Sequence, residues 1–146
     1  MNTSKDNDFN ISCRPGGWSH AKTHIRYHII FVTKYRRKCL ELIKNDVFAA
    51  FKECEANSHI KILNMNLDKD HIHLLITFPP IFSISQTVRR LKQYSTKYLY
   101  DCQGSYLRNF YWKKRKVLWT HGYYCGTLGQ VSENTVWNYI ENQGKV

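Results

Sequence analysis

The segment His71-Ile72-His73-Leu74-Leu75-Ile76-Thr77-Phe78 carries two imidazoles two residues apart within a run of alternating apolar side chains. Ile72, Leu74, Ile76 and Phe78 share one face of a strand, which puts His71 and His73 together on the other. Two imidazoles at i and i+2 can converge on one metal ion. The same pair can equally be two half-buried histidines satisfied by hydrogen bonds, and His-x-His alone does not choose between them. Asp68 and Asp70 stand beside the pair and could join a metal site, although turn formation is the simpler role for them. Far along the chain, Tyr139 and Gln143 lie i and i+4, one turn apart on one helix face. Trp137 and Ile140 give that helix apolar surface to dock, and a tyrosine on a docked helix is by itself a packing residue.

The elements that must position these groups follow from periodicity. Residues 23–35 read as a strand, with Ile25, Tyr27, Ile29 and Phe31 on one face and His24, Arg26, His28 and Val32 on the other. Asn45 is a plausible N-cap for a helix to about residue 57, its buried stripe being Val47, Phe48, Phe51 and Cys54. Residues 60–68 read as a second strand whose apolar parity slips between Ile62 and Leu63, as a bulge requires. The third strand, 71–78, follows after only Asp68, Lys69 and Asp70, so the two should form an antiparallel hairpin. Pro79-Pro80 stops it.

Ser83 and Gln86 form a capping box for a helix to about residue 100, with Ile84, Val88, Leu91, Ser95 and Tyr98 inward and Arg89, Arg90, Lys92 and Lys97 outward. Residues 101–117 read as irregular and include the basic run Lys113 to Lys116, either gripping phosphates or simply mobile, with mobility favoured. Residues 118–128 read as a fourth strand, and Ser132 starts a last helix reaching Gln143. The first six elements are the order of a ferredoxin-like split βαβ, an α+β fold whose antiparallel sheet carries two helices on one face. The extra C-terminal helix, which carries Tyr139, is free to cover the other face. The expected organisation is a flexible lead-in over 1–20 and one domain over 21–146.

With 22 Lys and Arg against 11 Asp and Glu, the chain has a formal charge of +11, so its natural partner is a polyanion. Ten Tyr and four Trp add π-surface suited to unpaired bases. The five cysteines are scattered with no close pair, which fits neither a disulfide framework nor a zinc knuckle, and they read as free, mostly buried thiols. Neither a signal peptide nor a membrane span is legible, so the expectation is a cytoplasmic protein with no membrane partner.

Asp68-Lys-Asp-His-Ile-His-Leu-Leu75 and Ser132-Glu-Asn-Thr-Val-Trp-Asn-Tyr-Ile-Glu-Asn-Gln143, together with Tyr27-His-Ile29, Lys34-Tyr-Arg-Arg-Lys38 and the Trp119 strand, resemble the HUH-superfamily single-tyrosine transposases of the IS-two-hundred-like insertion-sequence group. REP-associated tyrosine transposases share these motifs. The resemblance implies that His71 and His73 are paired metal ligands, Gln143 the third ligand and Tyr139 the nucleophile. It implies Mg2+ or Mn2+ as cofactor. Imidazole ligation suits manganese better than magnesium. The implied reaction is cleavage and rejoining of single-stranded DNA through a 5′-phosphotyrosine, with no nucleotide cofactor.

Arg26, His28, Lys34, Arg36, Arg37 and Lys38 are the groups expected to hold the DNA, which the family carries with hairpins at the element ends. Two ends need two nucleophiles and the chain offers one credible tyrosine, so a homodimer is expected. The resemblance implies composite sites in which Tyr139 of one subunit serves the histidines of the other. Two rival readings use the same composition. One is a non-enzymatic ferredoxin-like module binding RNA or single-stranded DNA. The other is a phosphodiesterase acting by water attack, for which the few, unclustered acidic residues are poorly suited.

Overall fold

Strand β1, Arg26–Val32, forms where β-branched and aromatic residues alternate, burying Ile29 and Phe31 completely. The computed structural model describes residues 25–129. The expected lead-in over 1–20, Cys13 and the helix from Ser132 with Tyr139 and Gln143 lie outside the described residues. The remaining elements are helix α1 (Lys44–Ala56), strands β2 (Lys61–Leu67) and β3 (His71–Thr77), helix α2 (Ile84–Leu107) and strand β4 (Tyr124–Gly129). Their four strands make one sheet in the order β2-β3-β1-β4, every neighbour antiparallel. That strand order with this element order is the split βαβ of a ferredoxin-like α+β domain.

Both described helices share one apolar core with the sheet: Val47 and Phe51 of α1 and Val88, Leu91 and Leu99 of α2 cluster with Ile29, Phe31, Ile72, Leu74 and Ile76. Trp119 closes this core between Phe31 and Phe51, with ring centroids 5.6 and 6.2 Å away. Its indole Nε1 donates to the buried Ser95 hydroxyl at 2.9 Å, so the one polar edge of the ring is satisfied.

The β2–β3 hairpin and its bulge follow the sequence expectation, since the register against β3 shifts between Ile62 and Asn64. The Ser83–Gln86 capping box is also present, with bonds of 3.0 and 2.9 Å. Three boundaries differ. Helix α1 begins at Lys44, fed by a 3-10 turn over Glu41–Ile43, so Asn45 is a helical residue and no side chain caps this end.

Helix α2 runs on to Leu107 instead of ending near residue 100, through a local distortion at Gln103 (φ −132°, ψ 31°). Its continuation is held by tertiary contacts: Leu107 is fully buried, and Gln103 donates to Asp46 of α1 at 2.7 Å. Strand β4 starts at Tyr124, not Leu118. Before it, Trp119 makes only an isolated bridge to Thr33, and the carbonyls of Thr120, His121 and Gly122 all accept from Lys92 Nζ at 2.8–3.0 Å. Those acceptors are taken by an ammonium group instead of a strand partner. Lys92 therefore points inward over the Phe31 ring, at 5.5 Å, and not along the outer face of its helix.

Of the four described cysteines, all free, Cys39 and Cys54 are buried, Cys125 is half-buried and Cys102 is exposed. Among the described residues no helix is long and apolar enough to cross a membrane.

Candidate functional site

Alternation along β3 buries Ile72, Leu74 and Ile76 against the helices and turns His71 and His73 to the opposite face of the sheet. There the two rings meet edge to face, with centroids 4.9 Å apart, and only 5% and 4% of the two residues is exposed. Buried imidazoles need a reason for their nitrogens to be there.

For His71 the reason is Asp70. The His71 Nδ1–H donates to Asp70 Oδ1 at 2.8 Å, and the other carboxylate oxygen pairs with Arg36 Nε at 3.1 Å. Burial pushes the Asp70 carboxyl up, but the hydrogen bond from His71 and the charge of Arg36 outweigh it and hold the group below its ordinary value. An ionised carboxylate on Nδ1 fixes the tautomer that leaves a lone pair on Nε2. The backbone holds Asp70 in place, because Thr33 donates to the Asp70 carbonyl from its amide at 2.9 Å. Asp68 Oδ2 lies 3.9 Å from His71 Nε2.

His73 is different. Burial, then the neighbouring charge of His71, pushes its pKa down to about 4, against a smaller upward pull from Asp68, so the ring is a neutral base at ordinary pH. Its Nδ1 is buried with no hydrogen-bond partner. A buried polar atom left that way costs about 1–3 kcal/mol, which fits a group kept for a ligand better than one kept for packing. An oriented Nε2 beside a neutral, unsatisfied imidazole is a donor pair suited to a divalent transition ion. Among the described residues no group of three or more His, Cys, Asp and Glu is placed to hold a metal. Tyr139 and Gln143, the expected nucleophile and third ligand, lie outside the described residues.

The basic residues expected to hold DNA do not form one surface. Arg26 is half-buried at the opposite end of β1 from Val32, the residue that pairs with His71. His28 is 1% exposed, its ring 5.1 Å from that of Tyr124 and packed over Gly126. Sequence parity chose the right face for it but could not show what covers that face. Arg36 is exposed yet committed to Asp70, a positioning role that sequence reasoning missed. The signal available for Asp70 was its place directly before His71. Lys34 and Arg37 are half-buried around the exposed Tyr35, and Lys38 is exposed.

Gly126 faces the His28 ring so closely that a Cβ there would overlap the imidazole. Gly126→Ala should therefore destabilise the fold by about 1–3 kcal/mol through overpacking. Urea unfolding would check it, and the loss should shrink in a His28→Ala background. A Gly126→Ala protein as stable as its parent would show that this contact is not tight.

The IS200-like transposase family matches residues 21–143 of the chain. A Salmonella typhimurium protein, the transposase for insertion sequence element IS200, is 32% identical over 127 residues, spanning 86% of this chain and 80% of that protein. The ISDra2 transposase TnpA of Deinococcus radiodurans is 25% identical over 120 residues, 82% of this chain and 84% of its own length. In fold, the chain superposes with a TM-score of 0.67 on the crystal structure of a candidate transposase from Deinococcus radiodurans R1, at 23% identity over 90% of this chain and 97% of that one. A REP-associated tyrosine transposase bound to a REP hairpin gives a TM-score of 0.54 at 13% identity, covering 81% of this chain and 63% of that one. The chain belongs to the IS200-like transposases, and so to the enzymes that process DNA.

Proposed function

We propose that this transposase cleaves and rejoins single-stranded DNA through a 5′-phosphotyrosine link on Tyr139, with His71, His73 and Gln143 holding a Mg2+ or Mn2+ ion. The observation that carries the reading is the histidine pair: one imidazole oriented by Asp70, the other neutral and unsatisfied, side by side on the sheet face away from the helices. A divalent ion bound there would supply Lewis-acid stabilisation of the charge that builds on the non-bridging phosphate oxygens.

The chain's own residues do the rest. Arg36 keeps Asp70 ionised, Asp70 keeps His71 in one tautomer, and burial keeps His73 unprotonated. The Tyr139 oxygen forms a bond to phosphorus as the bond from phosphorus to the 3′ oxygen breaks; the tyrosine proton is lost and the departing oxygen becomes a 3′-hydroxyl. One phosphodiester replaces another, so the link keeps its bond energy and a second 3′-hydroxyl can reverse the step. Two DNA ends require two tyrosines, which a homodimer with composite sites provides, Tyr139 of one subunit acting at the histidines of the other.

The polarity of the link gives a direct test. A single-stranded oligonucleotide labelled at its 3′ end should carry label into a protein band on a denaturing gel, whereas the same strand labelled at its 5′ end should release a shorter free fragment. Two free fragments with no labelled protein would indicate attack by water, and binding without cleavage would indicate a non-enzymatic module.

A further inference from the structure

At the far end of β1, the chain turns through two left-handed residues, Tyr35 (φ 61°) and Arg36 (φ 51°). Neither is glycine, so the turn is strained and must be held from outside. It is held by the end of α2 and the segment after it: Tyr106, in the last turn of α2, donates its hydroxyl to the Cys39 carbonyl at 2.9 Å, and Tyr111 donates to the Lys34 carbonyl at 2.7 Å. The basic run that follows is also anchored. The Arg108 guanidinium, stacked 5.0 Å over the Tyr100 ring, donates to the carbonyls of Lys113, Lys114 and Arg115. The loop expected to be mobile is thus tied to the end of α2, and its cationic side chains are presented by a fixed backbone.

Between these two walls lies a cleft of about 110 Å3, lined by Lys34, Tyr35, Arg37, Trp112, Lys113 and Arg115 among others, with no carboxylate among the described residues that line it. Trp112 and Tyr35 leave 70% and 63% of their surface in solvent, although both are large rings in a chain with a well-formed core. The Arg37 guanidinium lies against both, 5.8 Å from the Trp112 ring and 5.7 Å from that of Tyr35, and its Nε is buried with no hydrogen-bond partner. Small-molecule sites usually enclose about 300–1,000 Å3, so this cleft is too small for a free metabolite and suits one planar group of a larger ligand. Exposed aromatic faces interleaved with cations match the π-face and the phosphate of a nucleotide.

We propose that this cleft binds one unpaired nucleotide of the DNA strand, its base stacked on Trp112 and its phosphate held by Arg37, Lys113 and Arg115. The inference rests on the reading of the chain as a single-strand DNA transferase, and it adds a base-holding subsite separate from the histidine pair. Stacking is indifferent to which base is present, so the subsite contributes affinity for unpaired DNA without reading sequence.

The test compares single-stranded oligonucleotides with the same strands made abasic, titrated against the whole protein by fluorescence anisotropy. The parent should bind the base-bearing strand roughly tenfold or more tightly than the abasic one, the worth of about one stacked base. Trp112→Ala should lose most of that difference and Trp112→Phe should retain it; because Trp112 is exposed, neither change opens the core. The slope of affinity against salt should stay the same in Trp112→Ala and fall by about one unit in Lys113→Ala, since only the second removes a phosphate contact. If Trp112→Ala keeps the full preference for base-bearing strands while the parent still cleaves DNA, the subsite is wrong and the transferase reading stands. If the parent binds no single strand at all, both fall. Displacement of the strand by a free mononucleotide at equal nucleotide concentration would make the cleft a metabolite site and overturn the proposal.

Discussion

Tyr139→Phe should abolish the covalent protein–DNA adduct while single-strand affinity stays within a few fold of the parent. The substitution removes one oxygen and leaves the ring, so packing and charge are unchanged and only the attacking atom is lost. Removing a nucleophile from a site whose groups act together costs at least ~10^4-fold in rate, which takes the adduct below detection on a denaturing gel. An adduct that persists in the Phe protein would mean another of the ten tyrosines attacks. The same variant tests the shared site. Mixed with His71→Ala chains and allowed to exchange subunits, it should regain cleavage, because one mixed dimer then unites an intact histidine pair with an intact tyrosine from the other chain. Mixed dimers that remain inactive, beside parent protein that survives the same treatment, would confine each site to one chain.

Loss of either imidazole should be nearly as severe. His71→Ala and His73→Ala are each expected to lower cleavage by roughly 10^3-fold or more, the scale of removing charge stabilisation from a transition state. EDTA should do the same to the parent, with activity restored by Mn2+ or Mg2+. Because both histidines are buried, His71→Gln and His73→Gln serve as volume-preserving companions, and thermal melts separate unfolding from lost chemistry. Asp70→Asn should act more weakly, by about 10- to 100-fold, because it disturbs only the orientation of His71. Full-rate cleavage in EDTA would remove the metal from the mechanism. Full activity in Asp70→Asn would reduce the Asp70–His71 bond to a structural contact.

The hairpin, its bulge and the capping box were legible because each depends on residues close in sequence. A strand's two-residue period leaves no choice about which face His71 and His73 share once Ile72, Leu74 and Ile76 are buried. The end of α2 and the start of β4 were not legible. Leu107 is buried and Gln103 is bonded to Asp46 across 57 residues, while Lys92 takes the carbonyls of residues 120–122 from another element. No local pattern encodes partners that distant.

By itself, then, the sequence determined the strand and helix order, the common face of the histidine pair, the positive charge and the motifs that mark the family. All of these are read from neighbours along the chain or from composition. Only the tertiary structure decided that Asp70 orients His71 while Arg36 neutralises Asp70, that His28 is enclosed over Gly126, and that Arg37 lies against Trp112. Apart from the Asp70–His71 bond, whose partners are neighbours in the chain, each of these brings together residues far apart in sequence, set by how strands and loops pack in space. Periodicity can assign a residue to a face, but what covers that face and which charge meets it depend on elements that periodicity does not relate.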